Sequence, residues 1–300
     1  MLHIMYDKYI ICKDTLYMEN EHCYNFILYK EKEGILDKCV DATYILYLKN
    51  NGRLENIKDQ LAKVHPTRII YIVENEGYKK CDKKLSKQSP TIDLIDGYFQ
   101  IFNHAKKENY NNILILEDDF IWNDKIVDPE IGKDICEFVN NQDSNFIYYL
   151  GCMPMIKMNL GTNHLRTFMQ TATHSLIYGR KVREQILKSD KDAITDWDMN
   201  LSMFVRPTCY CYKSPLCYQT FPVTDNQKNW PSYFGTKYLV IFLLKMVKLD
   251  KQPSPGFEIC YVVSDIIFYL IILLLIYICY RVFKTRSVRN IFLKNKILKR

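Results

Sequence analysis

The sequence predicts an α/β domain built on a doubly wound, largely parallel sheet, followed by one membrane-spanning helix near the C-terminus. Three observations carry that expectation. Apolar β-branched and aromatic runs alternate with stretches of helical spacing, the pattern of βαβ units. The third such run ends in three consecutive carboxylates, Glu117, Asp118 and Asp119, at the strand end where ligands bind in these sheets. A long uncharged stretch near the C-terminus then precedes a block of cations.

The elements follow in order. Residues 1–40 are weakly patterned and read as an N-terminal extension. Asp41–Leu48 (DATYILYL) is a buried strand, and Asn50-Asn51-Gly52 is a turn signal. In Arg53–Val64, Leu54, Ile57, Leu61 and Val64 recur at helical spacing. Thr67–Val73 is a second strand, and the Lys-rich stretch Glu74–Pro90 is a loop. Thr91–Asn109 sets Ile92, Ile95, Phe99 and Phe102 on one helix face, and Asn112–Leu116 (NILIL) is the third strand. A helix at Asp128–Asn140, strands at Asn145–Gly151 and Thr173–Tyr178, and helices at Arg180–Lys188 and Trp197–Phe204 complete the expected domain, 41–235. Pro207–Tyr218 reads as a short strand pair. An apolar or interfacial segment and linker (236–257), a membrane helix (258–280) and a basic tail (281–300) follow.

Composition bounds the class. Of 300 residues 48% are hydrophobic and 25% charged, which suits a packed core, and 10 Gly and 10 Pro exclude collagen-like and Gly/Pro-rich chains. The net charge of +7 is local. Residues 281–300 hold eight Lys/Arg and no acid, which leaves −1 for residues 1–280 and no basic field for nucleic acid. The 11 cysteines include one local cluster, Cys209, Cys211 and Cys217. They read as buried or free thiols, as in a reducing compartment, with a zinc site or a luminal domain with some disulfides as alternatives.

Ile259–Tyr280 carries one charge, Asp265, and Ile266–Tyr280 carries none, so a spanning helix is expected where a buried core helix would rarely run so long. Its orientation stays open. The basic tail favours a cytosolic C-terminus, whereas the N-terminus lacks the pattern of a signal peptide, which favours a cytosolic body. Lys237–Val247 is too short to span and reads as interfacial or packed on the domain.

Three carboxylates after a buried strand need a positive partner. Strand alternation points Glu117 and Asp119 one way and Asp118 the other. Two carboxylates at that spacing suit a hard divalent cation, Mn²⁺ or Mg²⁺, that also holds substrate phosphates; an exposed helix start is the plainer alternative. The stretch YNNILILEDDFIW resembles the signature of family 25 glycosyltransferases, the lipopolysaccharide-type and procollagen galactosyltransferases. Tyr44–Leu61 resembles that family's opening strand, turn and helix, Ser175–Leu187 its later strand and helix, and Pro215, Leu216 and Gln219 a stretch near its end. The resemblance covers about residues 41–230. It implies a GT-A Rossmann-like nucleotide-diphospho-sugar transferase fold for 41–235, a UDP-sugar donor and Mn²⁺. Glu117 and Asp119 are then the metal ligands, and Leu48, Arg53 and Asp118 donor contacts. The opening loop, LKNNGR, departs from the family pattern.

Asp196-Trp197-Asp198 places two carboxylates around a ring that could stack on a sugar. Either acid is a candidate general base for an acceptor hydroxyl, and Thr195 with Asp198 alternatively forms a helix capping box. His174 is a candidate metal or phosphate neighbour or a hydrogen-bonded core residue, and Gln219 a substrate contact or a turn residue. The sequon at Asn200 reads as chance, and no Walker loop, GxGxxG, HExxH or GxSxG occurs. The expected function is transfer of galactose or glucose from a UDP-sugar to a hydroxyl on protein or glycan at a membrane. The rivals are a catalytically degenerate binding protein, a nucleotidyltransferase that would release pyrophosphate, and a scaffold whose basic tail binds anionic membrane lipid.

Overall fold

The computed structural model describes residues 20–205, 207–219, 236–249 and 252–297. After an unanticipated first strand, β1 (Tyr24–Lys30), the first half follows the predicted alternation: β2 (Ala42–Leu48), α1 (Leu54–Lys63), β3 (Ile69–Asn75), α2 (Pro90–Lys107) and β4 (Asn112–Glu117). The chain continues through β5 (Phe120–Trp122), α3 (Pro129–Asn140), β6 (Phe146–Tyr149), β7 (Met153–Asn159), β8 (His164–Thr171), β9 (Ser175–Gly179) and α4 (Arg180–Leu187). The short helix α5 (Trp197–Met199) runs into a π-helical stretch, Asn200–Val205, before β10 (Thr208–Tyr212), β11 (Cys217–Gln219), α6 (Thr236–Met246) and α7 (Gly256–Ile297).

Nine strands form one sheet in the order β1-β3-β2-β4-β9-β6-β10-β8-β7. Strands β3, β2 and β4 are mutually parallel, as expected of βαβ units. The rest departs from the largely parallel expectation: β9 lies antiparallel between β4 and β6, and β7–β8 is an antiparallel hairpin. The sheet also starts earlier than residue 41, because β1 pairs with β3. The anticipated strand pair in Pro207–Tyr218 does not form. Strand β10 joins the large sheet beside β6, and β11 pairs with β5 in a separate two-stranded sheet. Residues 220–235, the end of the expected domain, lie outside the described residues.

Helices cover both faces of the sheet. Along β2, Tyr44 and Leu46 join the core under α2, α4 and α5, while Ile45 and Tyr47 join the core under α1 and α3. Ser89 caps α2 by accepting the Ile92 N–H, and Pro90 opens the helix at a position that lacks an intrahelical N–H partner in any case. A Cβ at Gly97 would meet the Leu46 side chain at 2.9 Å, so this glycine lets α2 lie close on β2.

Where α2 begins, a polar network is sealed inside. Lys83 Nζ reaches Asp93 Oδ1 at 2.6 Å, Asn75 Oδ1 at 2.6 Å and Tyr24 OH at 2.7 Å. Tyr24 OH donates to Asp96 at 2.8 Å, and Lys191 Nζ pairs with Asp96 at 2.6 Å. This ties the loop before α5 to α2.

The cysteines correct the unpaired-thiol expectation. Cys23–Cys81 and Cys39–Cys136 are disulfides, while Cys209, Cys211 and Cys217 are buried and free. Residues 252–255 connect α6 to α7, and α7 packs on the domain from its first turns. Phe257, Tyr261 and Ser264 are buried, Glu258 accepts a hydrogen bond from Tyr218 OH, and Asp265 pairs with the buried Lys157 of β7. Further along, Ile266, Leu270, Leu273, Leu274, Leu275, Ile276 and Ile278 are exposed. Gly256–Lys284, 29 residues with mean hydropathy 2.7, is long and apolar enough to cross a membrane.

Candidate functional site

Strand β4 carries four buried apolar residues and then Glu117, whose N–H donates to the His174 carbonyl at 2.9 Å. The strand thus ends between the β2–α1 turn on one side and the start of antiparallel β9 on the other. The acids separate as alternation predicts. Asp118 turns to the β2–α1 turn, where it accepts from the Leu48 N–H at 3.1 Å and from Asn51 Nδ2 at 2.5 Å and pairs with Arg53. Glu117 and Asp119 turn to β11. Gln219 Nε2 lies 3.0 and 3.2 Å from the two Asp119 oxygens and 3.4 Å from Glu117 Oε2. One nitrogen therefore marks the point on which both carboxylates converge. Arg53 also reaches Asp119 at 3.3 Å.

The other Glu117 oxygen lies 2.9 Å from Tyr98 OH, which is also 3.0 Å from the Thr173 carbonyl. Burial, with the Asp119 charge next, pushes the Glu117 carboxyl up to about 8. Burial raises Asp119 to about 6, with Arg53 opposing and the Asp118 charge adding to the rise. Both carboxyl groups are thus held above their ordinary range, with burial the first cause at each.

Asp198 stands behind this pair, and its charge contributes to the raised Glu117 value. Burial first, then the Asp196 charge, lifts Asp198 to about 6. The Thr173 side chain and the Ala172 backbone hold it, while Oδ1 is buried without a partner. Asp196 is exposed, and Trp197 is a core residue stacked on Tyr98 at 4.5 Å between ring centroids rather than a surface platform. His174 is fully buried and held neutral, its value pushed down to about 4 by burial. Its Nε2 faces the Cys217 carbonyl at 3.3 Å, a contact within the fold.

Of the residues singled out from sequence, Glu117, Asp118, Asp119 and Arg53 meet in one cluster, with Asp198 near its inner side. Leu48 contributes its backbone N–H, and its side chain is exposed. Arg53 is engaged by two of the acids, so it braces them as well as lining the turn. Sequence reasoning missed Tyr98 and Asn51. Tyr98 is three residues past Ile95 on the buried face of α2, where an aromatic ring reads as core. Asn51 was visible only as a turn residue.

Carboxylate oxygens from Glu117 and Asp119 are the donor set a hard divalent cation takes. Among the described residues, the one metal-spaced trio, His22, Cys23 and Cys81, is accounted for by the Cys23–Cys81 disulfide. A cleft lined by Phe102, Lys106, Arg180 and Arg183 lies at the opposite end of β4, and its arginines are spent on the carbonyls of Asn109, Tyr110 and Asn111.

No protein-family model matches the chain and no curated protein matches it, so membership of the family its motifs resemble is not shown. Three solved structures share a coarse likeness. One is A197 from STIV, with TM-score 0.38 and 11% identity over 61% of this chain and 86% of that one. A second is a glycosyltransferase involved in the glycosylation of the major capsid of PBCV-1, with TM-score 0.37 and 10% identity over 62% and 96%. A third is mannose-1-phosphate geranyltransferase from Thermus thermophilus, with TM-score 0.31 and 10% identity over 57% and 72%. All three TM-scores are below 0.5, and the functional reading rests on the chain's own residues.

Proposed function

We propose that this chain is a membrane-anchored, metal-dependent glycosyltransferase that moves a hexose from a UDP-sugar to an acceptor hydroxyl on protein or glycan. The observation that carries the reading is the convergence of Glu117 and Asp119 on a single point at the end of β4, in a cluster short of positive charge. A Mn²⁺ or Mg²⁺ ion held there supplies Lewis-acid neutralisation of the leaving diphosphate. Gln219 either moves aside or turns its amide oxygen toward the ion. Asp118 holds the β2–α1 turn through Leu48, Asn51 and Arg53, and this turn is the surface offered to the nucleotide. Asp198, with a value near 6 and a free Oδ1, is ionised at neutral pH and suited to take the acceptor's proton. It is favoured over Asp196, which is exposed.

The two disulfides favour an oxidising compartment for the domain, and the tail's cations favour the cytosolic side for the C-terminus. A luminal or extracellular domain with an inward basic tail satisfies both.

A second reading, a nucleotide-sugar-binding protein without turnover, is favoured by the internal partners of the acids, Arg53 and Gln219. One experiment separates the two. The purified full chain in nanodiscs is offered UDP-, GDP- and CMP-sugars, with and without Mn²⁺, and nucleotide release is followed. The transferase reading expects Mn²⁺-dependent UDP release that Asp119→Ala abolishes. Binding of a UDP-sugar without release supports the second reading. Release that ignores both the metal and Asp119→Ala overturns the metal assignment.

A further inference from the structure

We propose that the β7–β8 hairpin is a second membrane contact, seated in the headgroup layer beside α7, so that the domain is held in one orientation on the bilayer. This rests on the reading of α7 as a membrane-spanning helix.

Depth is set by one ion pair. Lys157 of β7 is buried and pairs with Asp265, the residue directly before the uncharged run that starts at Ile266. Asp265 therefore marks the edge of the hydrocarbon, and Lys157 brings β7 to that level. Tyr261, one helical turn earlier, packs beside Cys152 at the start of the same strand, so α7 and β7 stay together as they approach this level.

The hairpin around Lys157 is apolar where a water-facing edge would be polar. Met155, Phe168 and Met169 are exposed at 45%, 51% and 44%. Met169 pairs with Ile156 across the two strands, and Phe168 follows Thr167, the partner of Lys157, so all three side chains lie within about two residues, roughly 7 Å, of the Asp265 level. Arg166 lies over the Phe168 ring at 5.3 Å. An aromatic ring and thioethers with a cation beside them form the amphipathic combination that membrane interfaces take up, the apolar groups toward the acyl chains and the guanidinium among anionic headgroups. A protein stalked away from the bilayer has no use for this grouping of exposed apolar side chains on one hairpin. Met155 stands on β7, the edge strand that packs against α7, and Phe168 and Met169 stand on its neighbour β8.

The seat has a consequence for the acid cluster. Tyr218, next to Gln219 in β11, bonds to Glu258 of α7, and Glu258 is eight residues before Ile266. At about 1.5 Å per residue that is about 12 Å along the helix, so the strand that touches Glu117 and Asp119 is braced at a set height above the lipid.

The test uses the full chain in phosphatidylcholine/phosphatidylglycerol nanodiscs, one copy per disc, with phosphatidylcholine brominated near the head of its acyl chains as quencher. Three variants each add one tryptophan: Phe168→Trp, Leu274→Trp in the middle of the apolar run, and Lys58→Trp on α1. The unsubstituted chain, with its three tryptophans, supplies the background. The expected result is a severalfold larger loss of added emission for Phe168→Trp than for Lys58→Trp, with Leu274→Trp also quenched. If Leu274→Trp is quenched and Phe168→Trp behaves like Lys58→Trp, the seat is refuted while the spanning helix stands. Blue-shifted but unquenched emission from Phe168→Trp assigns the face to protein and also overturns the proposal. If Leu274→Trp is not quenched, the spanning helix and the seat fall together.

Discussion

Adding Mn²⁺ to the metal-free protein should expel about one proton from the acid cluster at pH 7. Glu117, raised to about 8, is mostly protonated there, while Asp119, at about 6, is mostly ionised. An ion seated between them needs both carboxylates charged, so the shared proton leaves. The apparent affinity should climb about tenfold per pH unit between about pH 6 and 8 and flatten above it. The sign for stability follows from the same shift. Glu117 has a folded value above its ordinary 4.5, so between those values the metal-free fold holds more protons than the unfolded chain. Its stability therefore falls as pH rises through that window. At about 1.4 kcal/mol per unit the full shift is on the order of 5 kcal/mol, and solvent screening of a partly exposed side chain brings it to roughly 2. Titration calorimetry at pH 7 in two buffers of different ionisation enthalpy gives the proton count directly. Glu117→Gln should weaken binding and bring the count near zero. Tight binding with no proton released from the unsubstituted chain, or an unchanged count in Glu117→Gln, would refute the assignment of this pair.

Three further outcomes are expected. Asp198→Asn should lower kcat by roughly 10²–10⁴ with little change in donor KM, whereas Asp196→Asn should do far less; equal losses would count against Asp198 as the base. Lys83→Met leaves Asp93 buried without its cation and should cost about 3–5 kcal/mol in chemical denaturation, and a change under about 1 kcal/mol would show that the network is open to water. Cys39→Ser should destabilise the domain by about 4–5 kcal/mol, because the bond closes a loop of 97 residues, and alkylation without reductant should leave Cys39 and Cys136 unlabelled in the unsubstituted chain. Labelling of both would place the domain in a reducing compartment.

Local patterns in the chain marked out the elements from β2 to β4 because each is decided within a short window, whereas β1 was not marked. The runs at Asp41–Leu48 and Asn112–Leu116 are buried on both faces and so lack polar alternation, and the α2 stripe is held by its own cap. The second half was harder to read. Strands β7 and β8 carry Met, Lys, Arg and Gln, because one side faces the domain and α7 while the other is apolar and exposed, so neither periodicity stands out. Strand β10 pairs with β6, more than sixty residues earlier, instead of its neighbour β11, and no window holds that information. The disulfides are of the same kind: 58 and 97 residues separate partners whose spacing carries no signature.

The acid cluster shows where local and non-local determinants meet. Alternation along β4 sorts Glu117 and Asp119 from Asp118, which requires only an extended backbone. That the pair meets groups from elsewhere in the chain depends on topology, since β4 is the strand where parallel β2 gives way to antiparallel β9. The β2–α1 turn and the start of β9 diverge there, and the gap is filled by groups from distant parts of the chain, Tyr98, Asp198 and Gln219. The charge balance gives the arrangement its chemical sense. Glu117, Asp118, Asp119 and Asp198 carry four formal negative charges, and Arg53 is the one cation ion-paired with any of them among the described residues. With Arg53 as the one guanidinium, three charges stay unmatched once the proton is gone, in surroundings buried enough to raise three carboxyl groups above their usual range. A divalent cation would cancel two of those three charges, and a cluster serving only to hold the β2–α1 turn would need no more than Asp118 and Arg53.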